Sequence, residues 1–110
     1  MSTERSRKAS AVLGEILGDQ PVTFGAMLRS IRLCDEASLA QFAARLGVSR
    51  QNLADIEAGR RRVSLARAGE WARRLGRSET QFLSIAIEDE LRAADALYSV
   101  KLEPAAKRAG

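Results

Sequence analysis

Histidine is absent from the 110 residues and cysteine occurs once, at Cys34. The first absence removes imidazole acid–base chemistry and every His-containing triad. The second removes an intramolecular disulfide, and the two together leave no Cys/His cluster to hold a metal, so no metal and no cofactor are expected. A glycine-rich phosphate loop and an arguable paired-carboxylate pocket are also missing, which disfavours an enzyme. No apolar run approaches the roughly 20 residues that span a membrane. Met1 to Ser10 is charged and small, with no long apolar stretch after it, so a secretory signal is not expected and a cytoplasmic location follows by default. Aromatics make up only 5 % of the chain, so the core has to come mainly from Leu, Ile, Val and Ala.

What is present favours one helical domain. Hydrophobic residues at 45 % and charged residues at 29 % describe a globular chain, and abundant Ala and Leu with two prolines favour helix over sheet. The net charge is +4, but its distribution says more than its total. Arg45 to Arg77 holds nine arginines against Asp55, Glu57 and Glu70, whereas Ser78 to Tyr98 holds five carboxylates against Arg92. A basic middle of this kind suggests a polyanionic partner; on charge alone, a solvated basic face is an equal reading.

Periodicity and punctuation divide the chain into helices. Ala9 to Leu17 forms a possible short helix, broken by Gly18-Asp19-Gln20-Pro21. Phe24, Leu28, Ile31 and Leu33 predict a first core helix over about Phe24 to Cys34. Ser38 with Gln41 three residues on is a capping-box pattern, followed by a stripe of Leu39, Phe42, Ala43 and Leu46 and closed by Gly47. Ser49 caps a third helix, with Val48 and Leu53 placed as a hydrophobic staple, and Gly59 ends it. Ser64 caps a fourth with Leu65, Ala68, Trp71, Ala72 and Leu75, ended by Gly76. Ser78 caps a fifth whose stripe is Leu83, Ile87, Leu91, Ala94 and Tyr98, flanked by Phe82 and Ile85. Val100 to Glu103 alternates in polarity and is a candidate extended piece. The division is residues 1–21 as an N-terminal extension, 22–77 as the main domain, 78–98 as a C-terminal helix and 99–110 as a tail.

The stretch from Leu39 to Ala58 carries the function. Two short helices joined by a three- to four-residue turn cross steeply only where several positions are small or apolar. Ala43 and Gly47 supply the small positions; Phe42, Leu46, Val48, Leu53 and Ile56 fill the seam. The other face of the second helix shows Arg50, Gln51, Asn52 and Asp55, and Arg, Gln and Asn side chains can make bidentate contacts with base edges.

From about Phe24 to Phe82 the chain resembles the Cro and phage-repressor family, also called the XRE family. The matching pieces are Leu28 to Arg32, Ser38 to Leu46, Gly47 to Gln51, Ile56 to Arg60 and Trp71 to Gly76. The resemblance implies an all-α, lambda-repressor-like helix-turn-helix bundle of about five helices that binds double-stranded DNA. It implies that Arg50, Gln51, Asn52 and Asp55 face bases, and that Ser38, Ser49, Arg60, Arg61 and Arg62 touch phosphates. It implies that Arg32 and Glu57 form a structural pair tying the first helix to the end of the recognition helix. One departure is Leu39, where many relatives carry Gln, so a contact from that side chain is lost and Gln41 either compensates or serves only as a cap.

Several residues have plainer readings. Asp55 repels phosphate, so it either accepts from a cytosine amine or balances Arg50. Trp71 reads as core rather than a stacking platform, and Cys34 as a buried small hydrophobe. The acidic fifth helix, with its apolar stripe, is the natural element for a homodimer on two half-sites, unless packing on Trp71 and Leu75 consumes the stripe. The leading function is a sequence-specific repressor on a palindromic operator. The alternatives are an antitoxin that binds a toxin protein and autoregulates its operon, and a protein-interaction adaptor without DNA binding.

Overall fold

A hydroxyl stands at the start of every helix that follows, and each accepts the backbone N–H three residues on. The pairs are Thr23 with Ala26, Ser38 with Gln41, Ser49 with Asn52, Ser64 with Arg67 and Ser78 with Gln81. Such a cap satisfies one of the N–H groups a helix start leaves open and contributes about 1 kcal/mol. The computed structural model describes residues 22–105, and among them there are five α-helices and no strand. They are α1 (Phe24–Cys34), α2 (Leu39–Leu46), α3 (Arg50–Glu57), α4 (Leu65–Leu75) and α5 (Glu79–Ala93). The five helices fall where the punctuation predicts, and together they form the all-α helix-turn-helix bundle that the resemblance implies. The short helix over Ala9 to Leu17, the extension that contains it and the last residues of the tail lie outside the described residues.

Three aromatic rings join helices that are distant in sequence. Phe24 of α1 meets Phe82 of α5 edge-on, with centroids 5.6 Å apart, and Trp71 of α4 at 6.5 Å. Trp71, Phe24, Phe82 and Phe42 are all fully buried, and Leu28, Leu53, Ile56 and Ala68 close the space between them. Trp71 is therefore core, and its indole N–H donates to the Leu46 carbonyl at 3.1 Å, satisfying the one polar atom the ring brings inside.

Five expectations fail here, each for a geometric reason. Leu33 is 53 % exposed: nine residues from Phe24, it is half a helical turn out of phase with the buried Phe24–Leu28–Ile31 stripe. Cys34 is exposed, because the last turn of α1 leads into the solvent-facing Asp35-Glu36 turn. The inner face of α5 is Phe82 and Ala86, while Leu83, Ile87 and Leu91 lie half-buried beside it. The helix stops at Ala93, and Asp95 at φ 58 turns the chain, so Ala94 and Tyr98 are exposed rather than part of a helical stripe, and Leu97 beside them is 85 % exposed. Val100 to Glu103 forms no strand; the Val100 N–H donates instead to Glu88 Oε2 at 2.7 Å, folding the segment back on α5.

Candidate nucleic-acid interface

The position of α3 is fixed at both ends. At its start, Gly47 takes the left-handed conformation (φ 75) that ends α2 and turns the chain, and the Val48 N–H returns to the Ala43 carbonyl at 3.0 Å. Leu53 and Ile56 then bury one face of α3 against α2 and α1. At its far end α1 lies so close that a Cβ on Gly25 would stand 2.0 Å from the Ile56 carbonyl oxygen. Beside that contact Arg32 donates from Nε to Glu57 Oε2 at 2.8 Å and from Nη2 to Oε1 at 3.0 Å, and from Nη1 to the Ala37 carbonyl at 3.1 Å. The Arg32 and Glu57 side chains are only 12 % and 7 % exposed, and the Glu57 carboxylate holds the guanidinium pKa above its ordinary value.

The outer face of α3 is polar. Arg50 and Gln51 are exposed, and Asn52 and Asp55 are half-buried along the same helix. Gln51, Asn52 and Asp55 form a network with the loop after α3. Gln51 Nε2 donates to Asp55 Oδ1 at 3.1 Å, and Arg60 donates to the same oxygen from Nε at 3.2 Å and Nη2 at 3.0 Å. Arg61 Nη1 donates to Asn52 Oδ1 at 2.8 Å. The counter-charge of Asp55 is thus Arg60, not Arg50. Arg60, and then Gln51, hold the Asp55 carboxyl pKa below the usual carboxylate value. Arg62 turns the other way and pairs with Glu90 of α5 at 3.3 Å.

Ser38 and Ser49 stand at the starts of α2 and α3, where each Oγ accepts a backbone N–H and keeps its own hydrogen to donate. Gln41 completes the capping box, its Oε1 accepting the Ser38 N–H at 2.9 Å, so its amide oxygen is used locally. Leu39 packs half-buried against the core. Sequence reasoning missed Asp89, which accepts the Phe24 N–H at the start of α1 and is itself held by Arg92. The signal for it was the acidic run Glu88-Asp89-Glu90 within an otherwise apolar-striped helix.

The sequence model of the helix-turn-helix family matches residues 28–82, from α1 into α5. The chain belongs to the XRE-type helix-turn-helix family. This is a family of DNA-binding transcription regulators, and DNA is the ligand it implies for this chain. No curated protein and no solved structure matches the chain. Within the XRE-type domain the match includes Phe82, whose ring is part of the shared core, so α5 begins inside the domain. None of the described helices is long and apolar enough to cross a membrane.

Proposed function

We propose that this XRE-type protein is a sequence-specific repressor that occupies a palindromic operator as a homodimer, with residues 49–58 in the major groove. The observation that carries the reading is the polar face of α3. Arg50, Gln51, Asn52 and Asp55 occupy one helix, held at both ends by buried packing and by the Arg32–Glu57 pair. A rigid helix presenting donors and acceptors is what reading base edges requires. Ser38, Ser49 and Arg60 to Arg62 supply the surrounding phosphate contacts, and the helix starts at Ser38 and Ser49 add N–H groups and a dipole that favour anions.

A reader with about four base-facing side chains gains enough affinity by binding two half-sites. The half-buried Leu83, Ile87 and Leu91 on α5, together with exposed Leu97 and Tyr98, favour that end of the molecule as the protein–protein contact. Residues 22–77 then read DNA and 78–98 pair the subunits.

Selection of bound duplexes from a random pool, at near-physiological salt, tests the proposal. An enriched palindrome with half-site centres about 34–36 Å apart, or a multiple of that, is expected. Weak, salt-sensitive binding without enrichment would refute it and favour a chain that reads DNA only with a protein partner, as an antitoxin does, or an adaptor.

A further inference from the structure

Two of the base-facing side chains on α3 carry amides, and each amide has one end engaged. Asn52 is held by its oxygen: Arg61 Nη1 donates to Oδ1 at 2.8 Å. Turning the amide over would set its NH2 against the guanidinium, donor facing donor. Asn52 therefore keeps Nδ2, a donor, for a ligand. Gln51 is held by its nitrogen, which donates to Asp55 Oδ1 at 3.1 Å, and so keeps Oε1, an acceptor. Asp55 Oδ1 takes three donors, one from Gln51 and two from Arg60, which fixes the carboxylate plane and leaves Oδ2, again an acceptor. The face is split by chemistry, and the split is imposed by two arginines of the following loop.

We propose that Arg60 and Arg61 are specificity-determining positioning residues. Through Asn52 and Asp55 they make α3 select guanine at the base pair facing Asn52, and an exocyclic amine, cytosine N4 or adenine N6, at the pair facing Gln51 and Asp55. The inference rests on the major-groove reading proposed above. Guanine shows two acceptors there, O6 and N7, which suit a side chain offering donors; adenine shows N7 and the N6 amine, which suit an amide free to offer both ends. Arg61 has further N–H groups for a phosphate, so the two roles coexist, but a phosphate contact alone carries no base preference.

Equilibrium binding of the full chain to its selected duplex, and to every single-base-pair variant of it, is the test. It is run on the wild type and on Asn52→Ala, Arg61→Ala and Arg62→Ala, all substitutions outside the buried core. Asn52→Ala identifies the base pair that Asn52 reads. The wild type is expected to prefer guanine over adenine there by roughly 5- to 150-fold, the range for one good bidentate contact. Arg61→Ala is expected to lose that preference or reverse it, while Arg62→Ala, whose partner is Glu90, weakens binding to all duplexes alike and keeps it. An Arg61→Ala protein that keeps the guanine preference while weakening on every duplex would overturn the proposal, as would a wild type that prefers adenine at that pair. A wild type that discriminates among no duplexes refutes the operator reading itself, a failure visible before any variant is compared.

Discussion

The carboxylate of Asp89, near the end of α5, accepts the backbone N–H of Phe24, the first residue of α1, at 3.0 Å across 65 residues of sequence. Thr23 satisfies the Ala26 N–H of the same helix start, so a local cap and a distant one share the work. Negative charge is favourable at that end of a helix, and Arg92 holds the carboxylate in place. Asp89 lies on the same face of α5 as Phe82 and Ala86, and so continues the inner stripe as a polar group with a defined partner.

Replacing Asp89 by Ala should therefore destabilise the fold by about 1–2 kcal/mol, the upper part of the range for a lost cap. Chemical denaturation checks it through the midpoint, with Asp89→Asn expected to lose less because it retains an acceptor. An unchanged midpoint in Asp89→Ala would show that the bond contributes nothing to stability.

The Arg32–Glu57 pair should behave differently from the surface ion pairs. Arg32→Ala leaves a nearly buried carboxylate without its two hydrogen bonds, and should cost about 3 kcal/mol, the lower end of the range for breaking a buried pair. Arg73→Ala, which breaks the exposed pair with Glu79, should cost less than about 1 kcal/mol. Thermal unfolding of both variants is the measurement, and equal losses would contradict the assignment.

Two glycines are required for separate reasons. Gly25→Ala forces its Cβ into the Ile56 carbonyl, pushing α1 off α3, and should cost about 1–3 kcal/mol as overpacking. Gly59→Ala meets no atom within 4 Å, but its φ of 80 penalises any Cβ, by about 1–2 kcal/mol. Gly59→Asn should recover part of that loss, since Asn tolerates the left-handed region. An equal loss in Gly59→Ala and Gly59→Asn would argue against backbone strain.

Asp55 supplies a pH dependence of known sign. Its folded pKa lies below the ordinary 3.8, with Arg60 the main cause. The stabilising link to Arg60 is then fully present above 3.8 and is lost as pH falls through the lower folded value. Titration of the Asp55 carboxyl carbon by NMR should give a midpoint below 3.8, and Arg60→Ala should raise it. An unchanged midpoint in Arg60→Ala would detach the loop from α3.

The helix ends were legible because they depend on local chemistry. Ser38, Ser49, Ser64 and Ser78 cap by reaching a backbone N–H three residues away, and Gly47 and Gly76 end helices by accepting a positive φ. Neither needs the rest of the fold. The register of α5 was less legible, because Leu83–Ile87–Leu91 and Phe82–Ala86 are both apolar at helical spacing, and Phe24 of another helix decides between them. The links from the loop to α3 were also hidden. Asp55 could be matched with several arginines on charge, and only the turn at Gly59 brings Arg60 to it and Arg61 to Asn52.

Methylation interference on the selected duplex tests the central claim, that α3 reads bases in the major groove. Methyl groups on guanine N7 project into the major groove, and those on adenine N3 into the minor groove. The account predicts that methylation of guanine N7 within each half-site blocks binding, whereas methylation of adenine N3 within the same half-sites is tolerated. Interference from N3 methyl groups alone would place the protein on the minor groove and contradict the role given to Arg50, Gln51, Asn52 and Asp55.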